Sequence, residues 1–202
     1  NLSTDKEKEL WTGMEALKKA STEYKRIIAH IFRTPTYTTR DLFLYTKYLI
    51  LRFYSSYAFR NDLATIRLEG NDKENVLVKG KGIYTVKMRK FKASNKIGNI
   101  DIPLDKNLSG VLRKFIAYRN KVEAVDHKFL LSNSKGQPLS KRMVGNILRE
   151  LTQKLLGKKF ATRQIRVMQA TEDRKVVLLA QQLANKQLHS ITQHKQYSRK
   201  DK

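Results

Sequence analysis

Cysteine is absent from the 202-residue chain, which excludes a disulfide framework and any thiolate metal site. The histidines, His30, His127, His189 and His194, form no close ligand pair, so chemistry without a metal or other cofactor is expected. Acidic residues are scarce: 18 Asp and Glu face 42 Lys and Arg, for a formal net charge of +24. Such self-repulsion costs stability unless a polyanion is the partner, and nucleic acid is the commonest one. An anionic membrane is the weaker alternative, because the basic residues are spread along the chain and not gathered in one amphipathic or juxtamembrane cluster. No long unbroken apolar run is present either. The most apolar stretch, Leu42 to Phe59, is interrupted by Lys47, Arg52, Ser55 and Ser56, and reads as a buried helix, not a membrane span. No signal peptide opens the chain, which gives the cytoplasm or nucleus as the expected location. Asn1 in place of an initiator methionine is what a fragment or processed product would show. Internal repeats and low-complexity tracts are also lacking.

What is present is helical periodicity on either side of a short β-rich stretch. Thr4 and Glu7 have capping-box form, and Leu10, Trp11, Met14 and Leu17 follow at helical spacing, predicting a first helix over 4–20. Tyr24, Ile27, Ile28 and Ile31 continue the stripe to the loop at Thr34-Pro35-Thr36. A helix starting near Thr38 or Thr39 is apolar nearly all round through Leu51, as expected of a central helix. Tyr45, Tyr48, Phe53 and Trp11 read as core. Three strands are predicted at Val76–Val78, Ile83–Val86 and Ile100–Ile102, forming an antiparallel sheet. A helix over 107–122, a short strand at Phe129-Leu130-Leu131 and a turn at Ser134-Lys135-Gly136 come next. Ser140 is the expected N-cap of a helix whose apolar face runs from Met143 to Leu155 and which Gly157 ends. Two helices, 162–170 and 173–185, precede a last one opened by the capping box Ser190/Gln193. The expected class is α+β, a mostly helical domain with a small three-stranded antiparallel sheet.

Several basic boxes occur in order along these elements. Phe59-Arg60-Asn61-Asp62 follows the apolar helix, Phe91-Lys92-Ala93-Ser94-Asn95-Lys96-Ile97-Gly98 lies in the predicted sheet, and Arg163-Gln164-Ile165-Arg166 opens a helix. Arg166 to His189 spans 23 residues (189 − 166) and His189 to Tyr197 spans 8 (197 − 189). The set resembles the catalytic domain of the tyrosine recombinases, the phage integrase family. The Arg-Asn-Asp box is closest to the form in recombinases of large DNA viruses and protist mobile elements. The second box is similar to the lysine-bearing hairpin of that group, and Arg163-x-x-Arg166 to its His-x-x-Arg motif.

The resemblance implies a DNA strand-breaking and rejoining enzyme that acts in recombination or integration. Arg60 and Arg166 would clamp the non-bridging oxygens of a DNA phosphate with bidentate guanidinium forks. Tyr197 would attack phosphorus to form a 3′-phosphotyrosyl link, and His189 would hydrogen-bond the phosphate. Lys92 would protonate the departing 5′-oxygen, with Lys90 and Lys96 as alternatives. Two departures stand out. Arg163 occupies the histidine place and cannot accept a proton, though it can donate to phosphate; Leu188 replaces a glycine common before the second histidine. His194 is the rival for the histidine role, and Asn61 and Asp62 read as caps or arginine partners.

The likeness covers about residues 35–200. It implies a linker or first helix over 1–20 and the catalytic domain over 21–202, without the N-terminal core-binding domain of relatives and without the C-terminal helix many of them exchange. The implied partner is double-stranded DNA, bound by a homotetramer on synapsed DNA or by a monomer of the isolated domain, with no small-molecule substrate. A type IB topoisomerase uses a similar residue set and is the runner-up. A basic DNA-binding domain with vestigial catalytic residues is the non-enzymatic alternative.

Overall fold

The structure, a computed structural model, describes residues 13–186 apart from Ala58 and Ala93. Its organising element is α3, Thr39–Tyr54. Thr38 caps it, with its hydroxyl accepting from the Asp41 N–H at 3.2 Å, which satisfies one of the four free N–H groups of the first turn. Leu42, Leu49, Ile50, Leu51, Phe53 and Tyr54 on this helix are fully buried, and each such side chain contributes about 1.5–3 kcal/mol on burial. A helix buried on more than one face needs cover on several sides. Here α1 (Gly13–Ile27), α5 (Lys106–Arg119) and α6 (Lys141–Leu156) supply it. Tyr45, Tyr48 and Phe53 are core residues as expected, whereas Trp11 lies outside the described residues.

The N-terminal helix differs from its predicted bounds. α1 runs unbroken past residue 20 to Ile27, and α2 is a single turn, His30–Arg33. The Thr4/Glu7 box lies outside the described residues. The three strands pair as expected: β1 (Val76–Lys79), β2 (Tyr84–Met88) and β3 (Ile100–Pro103) form an antiparallel sheet in sequence order. Val78 faces Thr85, and Val86 faces Ile102. Between β2 and β3 stands one helical turn, α4 (Ser94–Ile97), so the segment carrying Lys92 is not the plain hairpin expected from sequence. The strand predicted at 129–131 reduces to a single bridge, Arg67 with Phe129. Gly136 completes the nearby turn at φ +76°, where an added Cβ would collide with the Ala124 carbonyl, so only glycine fits.

Asp105 caps α5, accepting from the Leu108 N–H at 2.8 Å; the helix therefore starts one residue earlier than predicted and ends at Arg119. Ser140 caps α6, and Gly157 closes it in the left-handed conformation at φ +68°, both as predicted. The two helices expected over 162–185 are one, α7 (Thr162–Lys186). The Gln169 amide donates to Asp173 at 2.9 Å across the anticipated break. Glu172 accepts from the Met14 N–H at 2.7 Å, so the middle of α7 also holds the start of α1. Among the described residues no helix is long and apolar enough to cross a membrane.

Candidate functional site

Three elements that end close together position the basic residues. The first begins where α3 stops. Phe59 packs edge-on against Phe53 at a centroid distance of 5.8 Å, and this anchors the turn into a 3₁₀ helix, Asn61–Thr65. Arg60 stands at its N-cap in extended backbone. Its carbonyl accepts from the buried Tyr54 hydroxyl at 2.9 Å, while its own side chain is exposed. The backbone is thus fixed from the core and the guanidinium is left to solvent or a ligand.

The second element is α6, which packs on the 3₁₀ helix. Lys141 in its first turn pairs with Asp62, a carboxylate only 6% exposed. Gly145 leaves room for Asn61: a Cβ there would stand 3.5 Å from the Asn61 amide nitrogen. Asp62 is therefore a partner of a lysine, not of an arginine, among the bonds of this site.

The third element is the start of α7. The Gln164 side chain accepts from the Ala161 N–H at 3.1 Å, a back-reaching cap. Ile165 and Met168 are buried and fix the rotation of the helix. Arg163 and Arg166, three residues apart, consequently share one face, with Arg163 exposed and Arg166 half-buried. Burial is the main influence lowering the Arg166 pKa; the charges of Arg60 and Arg163 lower it further, and Tyr54 pulls it back up. Arg60 and Arg163 thus both act on Arg166. Among the described residues its Nε is buried with no hydrogen-bond partner. The Tyr54 hydroxyl is held protonated, first by burial and then by Asp62, with Arg166 opposing. It serves as scaffold here, since its proton is already donated to the Arg60 carbonyl.

Lys92 is exposed in the turn between β2 and α4. No side-chain hydrogen bond among the described residues joins it to the arginines. Its segment is nonetheless tied to theirs by Asn75, which is 2% exposed. The Asn75 oxygen accepts from the N–H groups of Arg89 at 2.7 Å and Lys90 at 2.8 Å. Its amide nitrogen donates to the Lys90 carbonyl at 2.8 Å and to the Thr65 hydroxyl at 2.7 Å. Thr65 in turn donates to the Asp62 carbonyl at 2.6 Å. Three hydrogen bonds therefore fasten the end of β2 to one side chain, and that side chain is fastened to the 3₁₀ helix behind Arg60.

The structure brings Arg60, Arg163 and Arg166 together and places Lys92 on a neighbouring loop. His189, His194 and Tyr197, with the Ser190/Gln193 box, lie outside the described residues. Tyr54, Asn75 and Lys141 are not singled out by sequence reasoning: Tyr54 acts through Arg60, six residues on, Asn75 through Thr65, ten residues back, and Lys141 through Asp62, 79 residues back. Among the described residues no group of three or more acidic or histidine side chains is placed to hold a metal. No family model matches the chain, and comparison with curated proteins and with solved structures finds no match either.

Proposed function

We propose that the chain is a catalytic domain of tyrosine-recombinase type, which cleaves and rejoins double-stranded DNA through a 3′-phosphotyrosyl intermediate. The observation that carries this reading is the convergence of Arg60 and Arg163 on Arg166, while Asp62, the carboxylate beside Arg60 in the chain, is already paired with Lys141. Three such cations held side by side repel one another, and the arrangement is stabilised when an anion with several acceptor oxygens enters. A phosphodiester is the anion that an excess of 24 positive charges attracts most strongly.

In this reading the guanidinium forks neutralise charge that grows on the non-bridging oxygens as phosphorus becomes pentavalent. Arg166 is anchored with its Nε buried, and the terminal nitrogens of its fork are the donors for that phosphate. Tyr197 attacks phosphorus, the P–O bond to the 5′-oxygen breaks, and Lys92 supplies the proton that oxygen takes. His189 donates to the phosphate. The phosphotyrosyl link conserves the bond energy, so rejoining needs no nucleotide hydrolysis, and the guanidiniums take the charge-neutralising part that a metal would otherwise play. The catalytic domain occupies residues 21–202 in this proposal, acts where DNA is, and works as a tetramer in recombination.

A nicked suicide substrate tests the reading. The chain is expected to become covalently trapped on it, and Tyr197→Phe is expected to bind DNA unchanged yet form no adduct. An adduct that persists in Tyr197→Phe, or maps to another tyrosine, overturns the assignment. Relaxation of supercoiled DNA by monomer without strand exchange would favour the topoisomerase, and binding with no adduct in the parent chain would leave the DNA-binding domain.

A further inference from the structure

A second feature stands at the other end of α3. Between the α2–α3 loop and α5 lies a cleft of about 670 Å³, a size usual for sites that hold a small organic ligand. Tyr45, which lines it, is nine residues before Tyr54 on the same helix, so the cleft is roughly 14 Å along the axis from the arginine cluster at about 1.5 Å per residue.

Four lysines line this cleft, Lys25, Lys106, Lys114 and Lys121, and no acidic side chain does. Lys25, Lys106 and Lys114 make no ion pair among the described residues. Aromatic rings supply the walls. Phe32 is 37% exposed and meets Tyr45 edge-on at 4.9 Å. Tyr37 packs on Tyr118 at 4.9 Å, and the Lys121 ammonium donates to the Tyr37 hydroxyl at 3.1 Å, 4.9 Å from the ring centroid.

Three further details indicate a built site, not a gap between helices. Tyr37 is the one non-glycine residue with positive φ among the described residues, at +51°. A bulky residue held there is strained, and such strain collects at ligand clamps. The Tyr118 hydroxyl is buried against the Tyr37 backbone, its polar neighbour there, so α5 holds the strained residue in place. Gly110 lies mid-helix in α5, where glycine is unfavourable, and a Cβ added there would meet no atom within 4 Å. The missing side chain keeps the cleft open.

From aromatic walls and a lysine rim, we propose that this cleft binds a phosphorylated nucleoside, its base stacked on the exposed ring surface of Phe32 or Tyr37 and its phosphates on Lys114 and Lys121. Stacking on aromatic rings is tolerant of base identity, so the chemistry fits a free nucleotide or one nucleotide of a single strand. The site is separate from the arginine cluster and does not depend on the reaction proposed for it.

Calorimetric titration of the full chain tests this with ATP, tripolyphosphate and a single strand of about ten thymidines. ATP is expected to bind about tenfold or more tighter than tripolyphosphate, because the base adds stacking to charge, and the strand is expected to show the same advantage over an abasic strand of equal length. Gly110→Leu should abolish that advantage while the circular dichroism spectrum is kept and the melting temperature holds or rises. Lys114→Glu, a substitution at an exposed position, should weaken binding by at least tenfold. Loss of ATP binding in both variants identifies a free nucleotide; loss confined to the strand identifies a nucleotide of DNA. Tripolyphosphate binding as tightly as ATP, together with the abasic strand binding as tightly as the thymidine strand, would overturn the proposal, as would a folded Gly110→Leu variant that binds ATP and the thymidine strand as before. Loss of DNA cleavage in Tyr197→Phe bears only on the other site.

Discussion

Arg166 differs from the many other basic side chains of the described residues in being half-buried, pressed by two further guanidiniums and left with an unpaired Nε. Lysine at this position keeps the charge but has one nitrogen where arginine presents a rigid fork. Arg166→Lys is therefore expected to lower single-turnover cleavage by at least tenfold, about 1.4 kcal/mol of barrier, with DNA affinity changed little; near-normal cleavage would remove Arg166 from the clamp. Lys92 calls for a different measurement, because its assigned work is proton donation. Replacing the bridging 5′-oxygen with sulfur gives a thiolate that leaves without a proton. Lys92→Ala should be impaired on the oxygen substrate and largely restored on the sulfur one, whereas Arg60→Ala should fail on both. Restoration in Lys90 or Lys96 variants instead would move the acid along the loop. The three arginines stand out in the sequence through the resemblance of their two boxes to those of a known family, and helix geometry adds that Arg163 and Arg166, three residues apart, share a face. Tyr54 and Lys141 do not stand out. The first looks like any core tyrosine until its hydroxyl meets the Arg60 carbonyl, and the second is 79 residues from its partner Asp62.

Elements with strong local chemistry had readable ends. Thr38 and Ser140 each accept a hydrogen bond from a first-turn N–H, and Gly157 supplies the left-handed residue that closes α6. The long α7 was read as two helices because its apolar pattern weakens in the middle; the contact of Glu172 with Met14 and the packing against α1 operate over a sequence distance no periodicity reports. The β2–β3 connection was misread for a related reason, since a four-residue helical turn carries too little pattern to be distinguished from a loop. How that connection is held gives the prediction at this scale. Asn75→Ala leaves the Arg89 and Lys90 N–H groups and the Lys90 carbonyl without their partner, each costing about 1–3 kcal/mol where water cannot replace it. A lowered melting temperature is expected, together with slower cleavage because Lys92 is no longer held in place. The part of the defect due to the lysine should be restored by the sulfur substrate. An Asn75→Ala variant that is equally slow on both substrates would show that Asn75 supports the fold alone and not the position of the loop.

Over the whole molecule, charge decides more than any single contact. The formal charge of +24 is carried by a fold in which some ion pairs among the described residues, such as Lys18 with Glu15 and Arg26 with Glu23, are exposed on both sides. Pairs of this kind contribute little, about 0–1 kcal/mol each. Such pairs offset little of the excess, and the arginine cluster at one end of α3 and the lysine-rimmed cleft toward the other are both parts of it. A duplex laid against such a surface would release a condensed counterion for most phosphates neutralised, and the gain from that release shrinks as bulk salt rises. Binding to a non-specific duplex, followed by fluorescence anisotropy, is expected to fall linearly in log affinity with log salt. For about 6–10 phosphates contacted, affinity should drop roughly 10³–10⁵-fold between about 50 and 200 mM salt. Arg60→Ala combined with Arg163→Ala should lower that slope by about two, since each removes one phosphate contact. An affinity nearly independent of salt would mean that the positive charge serves some partner other than the DNA backbone, and an unchanged slope in the double variant would place the arginines away from the phosphates.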